Sequence, residues 1–431
     1  MLVKSGFSVM KPIQSIPPLA AAFFKPFLAL IPGLPHQRSC PELNDATWLA
    51  LGISRVLENE PSGRAFLQKA AGSALPVPSR SSFFNTLASG RRLLLCQAAN
   101  EALARHMVRN TPDPFAAFPA LKDFDIHAGD GDFHAAAVHD PRSAPGATRY
   151  ATGHVYMMDL RTQAMRHLDL CDQIERLKEH DLRVIKRRGY DALRCHAPKG
   201  RQVIVVWDRA MLDFAWWQDG KNLKGLYFVT RPKSNTQLTR SGFNSYDAAD
   251  PVNAGVLSDE LAAPAATARA LRRITWTDPM TGESWQFLTN QMTLEPGLIV
   301  LLYRRRWDIE KVYDEFKNKF HEKKSWASSP NAKSAQAAFL CLTHNLTVLY
   351  DQTLAAAGIV NSPEIERRAK RLKALTAHNT AAGRILPRII YGFQRLTQRS
   401  VKFVRWLRQN LWSKRPLHDL LAILIGLYRT L

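Results

Sequence analysis

The chain contains the run Val203–Trp207, which reads VIVVW and is followed directly by Asp208. A short uninterrupted run of apolar, mostly β-branched residues is typical of a strand that is covered on both faces. A carboxylate at the end of such a strand points into the crevice in which α/β sheets bind ligands. The stretch therefore predicts the central strand of an α/β domain, with Asp208 as a candidate ligand-binding acid. The alternatives are that Asp208 only caps the next helix, or that Asp213 is the functional acid.

The patterns on either side of this strand predict the order of the neighbouring elements. Three strands and then a charged amphipathic helix, ended by Gly189, precede this strand. A second helix and a further strand follow it. This order matches an RNase H-like α/β fold, a mixed sheet flanked by helices on both faces. The predicted strands are 124–130, Arg149–Leu160, Met165–Leu170 and Leu226–Thr230, and the predicted helix is Asp172–Arg188.

Composition divides the rest of the chain into further regions. Apolar residues at helical spacing, as in Asn44–Asn59 and Ser82–Arg109, predict a helical N-terminal region. Two alternating stretches around Asp278 predict a hairpin in a β-rich insertion. The predicted regions are 1–117 (helical), 118–230 with 295–350 (the RNase H-like domain), 231–294 (the insertion) and 351–431 (basic and helical).

Charge and cysteine content restrict the class of protein. The 431 residues include 59 Lys and Arg against 37 Asp and Glu, a net charge of +22, which predicts a polyanionic partner. Nucleic acid is favoured over an anionic membrane, because no apolar stretch reaches the roughly 20 residues of a membrane span. The five cysteines are scattered without a CxxC pair, so a disulfide framework is not expected. The expected location is the cytoplasm.

The basic charge is concentrated near the C-terminus. Arg367–Arg415 contains fourteen Lys and Arg residues and no Asp or Glu. A single-sign face repels itself unless phosphates lie nearby, so this tract predicts contacts with a DNA backbone. The residues that recur at helical spacing, and are predicted to bind DNA, are Arg395, Arg399, Lys402, Arg405 and Arg408.

A long helix over Pro296–Phe320 carries the most informative side chains. At about 100° per residue, one face of this helix holds a carboxylate, two cations and a phenol, and another face is apolar. A carboxylate placed there can bind a divalent cation, while the two cations are expected to be free to contact phosphates. The alternative is a solvated, salt-bridged helix face. The polar face comprises Tyr303, Arg306, Glu310 and Lys317, and the apolar face Ile309, Val312, Phe316 and Phe320.

The spacing of the four polar residues, Y-x2-R-x3-E-x6-K, resembles the YREK signature of bacterial insertion-sequence DDE transposases. The surrounding phrase Leu302–Glu310 is also similar to the Y-x-x-R-W-x-I-E of that family. The resemblance implies an RNase H-like catalytic domain with Glu310 as its third acid, two Asp upstream and a β-rich insertion between the second Asp and the Glu. It further implies that Tyr303 and Arg306 contact phosphates and that Trp307 stacks on a base or supports a hairpin near the cut end. The alternative for Trp307 is a tryptophan of the core.

The second acid has one best candidate in the sequence, whereas the first acid has two. Asp208-Arg209-Ala210 is similar to the D-R-G of the family, with Ala in place of Gly. For the first acid, Asp130-Gly131 fits the family's D-G pattern best, and Asp132 is the alternative. The nearby histidines match no common zinc spacing and are expected at the surface; they are His127, His134 and His139.

Three carboxylates suit the hydrolysis of a phosphodiester by two metal ions about 3.5–4 Å apart. Mg²⁺, or else Mn²⁺, is favoured because hard cations prefer oxygen ligands. Asp130 would contact both ions, while Asp208 and Glu310 would each hold one. These acids are therefore predicted to be both the metal ligands and the catalytic residues.

The predicted function is that of a transposase which binds the terminal inverted repeats of its element, cuts DNA and joins the freed 3′ end to a target. Resemblance adds the expectations of a hairpin end intermediate and of a homodimer on DNA in the bacterial nucleoid. The N-terminal helices could recognise the end sequence. Two alternatives stay open: an RNase H-like nuclease without strand transfer, and a DNA-binding derivative that has lost catalysis.

Overall fold

The computed structural model describes most of the chain. The residues it describes are 16–38, 43–58, 60, 62–71, 79–142, 145–146, 149–171, 173–174, 177–264, 269–279, 281–381 and 401–430. Within this part of the chain, no helix combines the length and the apolar character needed to cross a membrane.

The N-terminal region is helical, as its apolar spacing predicts. The stretch Ser82–Arg109, predicted as one helix, is divided between two, because Ser89 caps the second of them and accepts a bond from the Arg92 amide at 3.4 Å. Among its described residues, the helices are α1 (Pro18–Leu28), α2 (Asp45–Glu58), α3 (Gly63–Ala70), α4 (Arg80–Leu87) and α5 (Gly90–Asn110), with 3₁₀ turns at Ile31–Gly33 and Pro119–Leu121.

The centre of the molecule is a mixed sheet flanked by helices, as expected for an RNase H-like fold. Its first part has the order β3-β2-β1-β6-β7, with β1 antiparallel to β2 and parallel to β6. The predicted strand of residues 203–207 is part of β6, which lies between β1 and β7, and five of the six residues of β6 are buried. The strands are β1 (Phe124–His134), β2 (Thr152–Asp159), β3 (Met165–Leu170), β6 (Gln202–Trp207) and β7 (Leu226–Thr230).

The prediction of a helix over Asp172–Arg188 is wrong at both ends. Two short strands, β4 (Gln173–Ile174) and β5 (Leu177–Lys178), pair with each other before the helix begins. The helix itself, α6, runs over Asp181–Leu193 and is capped by His180, whose Nδ1 accepts from the Leu182 amide at 3.1 Å. Gly189 does not end it: its φ of +75° produces a kink inside the helix.

The β-rich stretch predicted over 231–294 extends the same sheet instead of forming a separate one. The hairpin around Asp278 is present, with Trp276 opposite Trp285, and its second strand pairs with β7. Helix α7 (Phe214–Lys224) precedes β7, and 3₁₀ turns lie at Arg209–Met211 and Pro251–Asn253. The strands of this part are β8 (Leu238–Phe243), β9 (Val256–Pro264), β10 (Leu271–Thr277) and β11 (Ser284–Thr289), which complete nine strands in the order β7-β11-β10-β9-β8.

The long helix predicted over Pro296–Phe320 is present but has two irregularities. It consists of α8 (Pro296–Arg305) and α9 (Trp307–Asp314), followed by a π turn over Glu315–Lys319. In the π turn the Phe320 amide donates to the Glu315 carbonyl, five residues back, at 2.9 Å. The apolar face is fully buried, as predicted for Ile309, Val312, Phe316 and Phe320. We refer to the whole segment as the carrier helix, because it carries Glu310.

Helix α10 (Pro330–Ala356) completes the core behind the carrier helix. It is buried over most of its length and packs against α2, α5 and β3. The described part of the C-terminal region is helical, as its composition predicts. Its helices are α11 (Ser362–Ala381), α12 (Val401–Asn410) and α13 (Leu417–Arg429).

Candidate active site

Two of the predicted acids follow each other on neighbouring strands. Gly129 of β1 is the register partner of Trp207 of β6, so Asp130 and Asp208 are the next residues along two parallel strands. Glu310 reaches the same edge from α9, which contacts β1. The fold therefore brings together three acids that are separated by 78 and 102 positions along the sequence.

The pKa of Asp130 is affected by both of the other acids. Burial raises the pKa of Asp130 to about 7; Arg306 and the Gly131 amide oppose this shift, and the carboxylates of Asp208 and Glu310 add to it. The pKa of an acid is raised in this way when burial removes water from its carboxylate and other negative charges lie nearby. Asp130, Asp208 and Glu310 thus share one electrostatic environment.

Arg306 lies between two of the acids. Its guanidinium contacts Glu310 Oε1 at 2.7 Å and Asp130 Oδ2 at 3.5 Å, and its side chain is only 8% exposed. It also lies over the rings of Tyr303 and Trp307, at 5.8 and 5.5 Å from their centroids. The expectation that Arg306 is free to contact phosphates is therefore wrong for this arrangement, because carboxylates already neutralise it.

Asp132, the alternative first acid, lies in a different environment. Its Oδ1 accepts a hydrogen bond from Lys317 Nζ, and burial raises its pKa while that bond lowers it. The main causes of the Asp132 shift are burial, Lys317 and the Phe133 amide, whereas Asp208 and Glu310 contribute to the shift of Asp130. This difference favours Asp130 over Asp132 as the first acid. Lys317 is occupied by this ion pair, so it too is not free.

Asp208 and Asp213 both cap the helices that follow them. Asp208 Oδ1 accepts from the Ala210 amide, so the capping alternative is present together with the position beside Asp130. Asp213 caps α7 by accepting from the Trp216 amide at 3.0 Å and forms an ion pair with Lys186. These contacts account for Asp213 without a role at the site.

The glycines on either side of Asp130 are explained by packing. A Cβ at Gly129 would lie 2.1 Å from the ring of Trp207, and one at Gly131 would lie 2.3 Å from Asp181 Oδ2. The strand can approach β6 this closely only without a side chain at Gly129, whereas a side chain at Gly131 would require the Asp181 carboxylate to turn away. The Asp130-Gly131 pair that resembles the family pattern therefore has a local steric reason.

The donor set suits a hard divalent cation, but the acids are not arranged around one. Within the described residues, no group of three or more His, Cys, Asp and Glu side chains is placed to hold a metal ion. Carboxylate oxygens are the ligands that Mg²⁺ and Mn²⁺ prefer. The raised pKa of Asp130 reflects mainly its burial, with smaller contributions from Asp208 and Glu310. Because Glu310 Oε1 is paired with Arg306, a metal at this position would compete with Arg306 for Glu310.

The aromatic residues near the site differ in exposure. Trp307 is 46% exposed and is therefore not a core tryptophan, whereas Tyr303 is buried. Of the two tryptophans paired across the hairpin, Trp276 is fully buried and donates to the Ala254 carbonyl at 2.9 Å. Trp285 is half-buried beneath Arg231 and Arg304.

The basic residues predicted to bind DNA differ in their surroundings. Arg395 and Arg399 lie outside the described residues. Lys402 caps α13 by donating to the Leu427 carbonyl at 2.7 Å, and Arg408 donates to the carbonyls of Leu57 and Lys319. Arg405 is exposed. The structure thus gives Lys402 and Arg408 internal partners.

Sequence reasoning missed two features next to the site. The Tyr313 hydroxyl donates to the Asp130 carbonyl at 2.8 Å, and a helical wheel would have placed Tyr313 beside Arg306. His134 and His154 are fully buried with ring centroids 4.7 Å apart, and His154 Nδ1 lies 3.1 Å from His167 Nε2. The expectation of surface histidines is therefore wrong for His134 and also for the buried His127. His139 is exposed.

Comparison with known proteins gives a partial match. Residues 135–346, just under half of the chain, match the family model of the transposase DDE domain. This region contains Asp208 and Glu310 but begins after Asp130. No curated protein matches the chain. The match supports a DDE transposase family without distinguishing the YREK group within it.

Proposed function

We propose that this chain is a DDE transposase of the YREK group, which binds the terminal inverted repeats of an insertion sequence, cleaves DNA and transfers the freed strand. The observation that carries the proposal is the meeting of Asp130, Asp208 and Glu310 at one edge of an RNase H-like sheet. The family match over residues 135–346 supports the transposase class. The net charge of +22 supports a polyanionic substrate.

The three acids are the proposed ligands of two Mg²⁺ or Mn²⁺ ions. Such ions, when bound, supply activation of the attacking water and stabilisation of the leaving 3′ oxygen. Bound cations would compete with Arg306 for the carboxylates of Asp130 and Glu310, and its guanidinium would then be available to a DNA phosphate. Tyr303 supports Arg306 from below, and Trp307 offers an exposed ring for a base to stack on.

The assay that tests this proposal uses labelled duplexes covering the DNA on both sides of the reading frame, with target DNA and Mg²⁺. The expected products are cleaved 3′ ends and strands joined to the target. Glu310→Gln should lower cleavage at least about 100-fold, since it removes a charged metal ligand. Glu283→Gln, which changes an exposed acid in the turn after β10, is the matched control and should cleave normally.

Each alternative function has its own outcome in this assay. Cleavage without joined products would identify a nuclease that lacks strand transfer. Binding of the flanking DNA without cleavage, in wild type and Glu310→Gln alike, would identify a DNA-binding derivative that has lost catalysis. Cleavage that persists in a folded Glu310→Gln variant would contradict the assignment of the acids.

A further inference from the structure

A buried pair of side chains fixes the carrier helix on the side facing α10. Glu315 is the first residue of the π turn, His344 lies in α10, and neither is exposed to solvent. Glu315 Oε1 lies 2.8 Å from His344 Nδ1. An ionisable pair of this kind is expensive to bury and is retained only where its geometry is well satisfied. The pair therefore fixes one orientation of the helix inside the core.

The hydrogen bonds of His344 connect three elements. Its Nε2 lies 3.0 Å from the Gln163 carbonyl in the turn between β2 and β3. A carbonyl oxygen only accepts, so Nε2 carries the hydrogen, and the remaining ring nitrogen shares one proton with Glu315. Whether that proton lies on the imidazole or on the carboxylate, the bond is directional. The carrier helix, α10 and the β2–β3 turn are thus joined through one side chain.

The side of the carrier helix that faces β1 is held next to the first acid. Tyr313 donates to the carbonyl of Asp130, and Lys317 donates to the carboxylate of Asp132. The four positions from Tyr313 to Lys317 span about 6 Å along the helix, and the two positions from Asp130 to Asp132 span about 6.6 Å along the strand. The two contacts therefore have nearly the same spacing on both elements. The helix is consequently held between β1 and α10.

We propose that the Glu315–His344 pair is a positioning element that sets the place of Glu310 relative to Asp130 and Asp208. At about 100° per residue, Glu310 and Glu315 point about 140° apart around the helix axis. Any rotation that moves Glu315 away from His344 therefore also moves the Glu310 carboxylate. The π turn that begins at Glu315 is a local irregularity of the kind that recurs at functional sites. This inference rests on the proposed function, because the placement matters only if Glu310 helps to hold a metal.

The test measures Mg²⁺-dependent cleavage and DNA affinity in the full-length protein. His344→Ala should raise the Mg²⁺ concentration for half-maximal cleavage about 5-fold or more and lower the maximal rate about 10-fold, with DNA affinity within about 2-fold. Glu315→Gln should stay within about 3-fold of wild type, because its amide can donate to His344 Nδ1. Asn345→Ala is the matched control: Asn345 is equally buried, neighbours His344, and bonds instead to Asn100 and to the backbone of Met165.

The outcomes separate this inference from the proposed function. If folded His344→Ala has the Mg²⁺ dependence of wild type, or if Asn345→Ala shifts it equally, the positioning role is overturned while the transposase assignment stands. If wild type does not cleave, or Glu310→Gln does, the proposed function fails and this inference fails with it. Should His344→Ala not fold, Glu315→Ala is compared with Glu315→Gln, and equal Mg²⁺ dependence of those two overturns the inference.

Discussion

At the scale of single residues, the buried carboxyl of Asp130 lowers the stability of the folded protein as the pH rises. Asp130 is a buried carboxyl whose pKa is raised to about 7, from an ordinary value of 3.8, chiefly by burial. Between these two pH values the folded chain holds a proton on Asp130 that the unfolded chain has lost. The contribution of Asp130 to stability therefore falls as the pH rises through this window. Natural sites often keep such a destabilising group because function requires it.

Replacement of Asp130 by Asn should therefore stabilise the protein while abolishing cleavage. We expect the free energy of unfolding to rise by about 1–3 kcal/mol at pH 8 and to be nearly unchanged at pH 4, where the acid is already protonated. Urea unfolding at several pH values measures the difference. A variant that is less stable than wild type at pH 8 would contradict the view that the buried carboxylate of Asp130 destabilises the protein.

At the scale of elements, the strand carrying Asp130 is seated by contacts that its glycines permit. Gly131 lies against Asp181 at the first turn of α6, and Gly129 lies against the ring of Trp207. The apolar patterns of β1 and β6 are local, so the sequence predicts both strands. The start of α6 was not predictable in this way, because the paired strands β4 and β5 take up residues that look helical by charge alone.

Gly131→Ala tests this seating. The added Cβ would lie 2.3 Å from Asp181 Oδ2, so the Asp181 side chain must turn away, and we expect a loss of about 1 kcal/mol in the free energy of unfolding. Gly33→Ala is the control, because no atom lies within 4 Å of its added Cβ, and it should change stability by less than about 0.5 kcal/mol. Thermal unfolding compares the two. The loss should shrink when Asp181→Ala is added, and a loss that is unaffected would show that the contact is not responsible.

At the scale of the whole molecule, the positive charge serves two purposes. Arg408 is partly buried and donates to carbonyls of α2 and of the π turn, whereas Arg405 on the same helix is exposed. The sequence predicts a basic helix from spacing alone. It cannot tell which of these cations meets a carbonyl, because both carbonyls belong to segments far away along the chain. The same limit applies to Arg306, whose partner Asp130 lies 176 residues away.

The two arginines should therefore respond differently to substitution. Arg405→Ala should keep the stability of wild type while reducing DNA affinity and lowering the slope of log K against log salt by about 1. Arg408→Ala should reduce the free energy of unfolding by about 1–3 kcal/mol, since two carbonyls lose their donor. Salt titrations of DNA binding, together with urea unfolding, measure both effects. A flat salt dependence of the wild type would contradict the assignment of this region to DNA.

The central claim is that Asp130, Asp208 and Glu310 together form one metal centre, and anomalous scattering from crystals soaked in Mn²⁺ tests it most directly. The account predicts anomalous peaks about 2.0–2.5 Å from carboxylate oxygens of all three acids, with Glu310 turned away from Arg306. Crystals in which Mn²⁺ binds elsewhere, or in which the Arg306–Glu310 ion pair persists at saturating Mn²⁺, would contradict it.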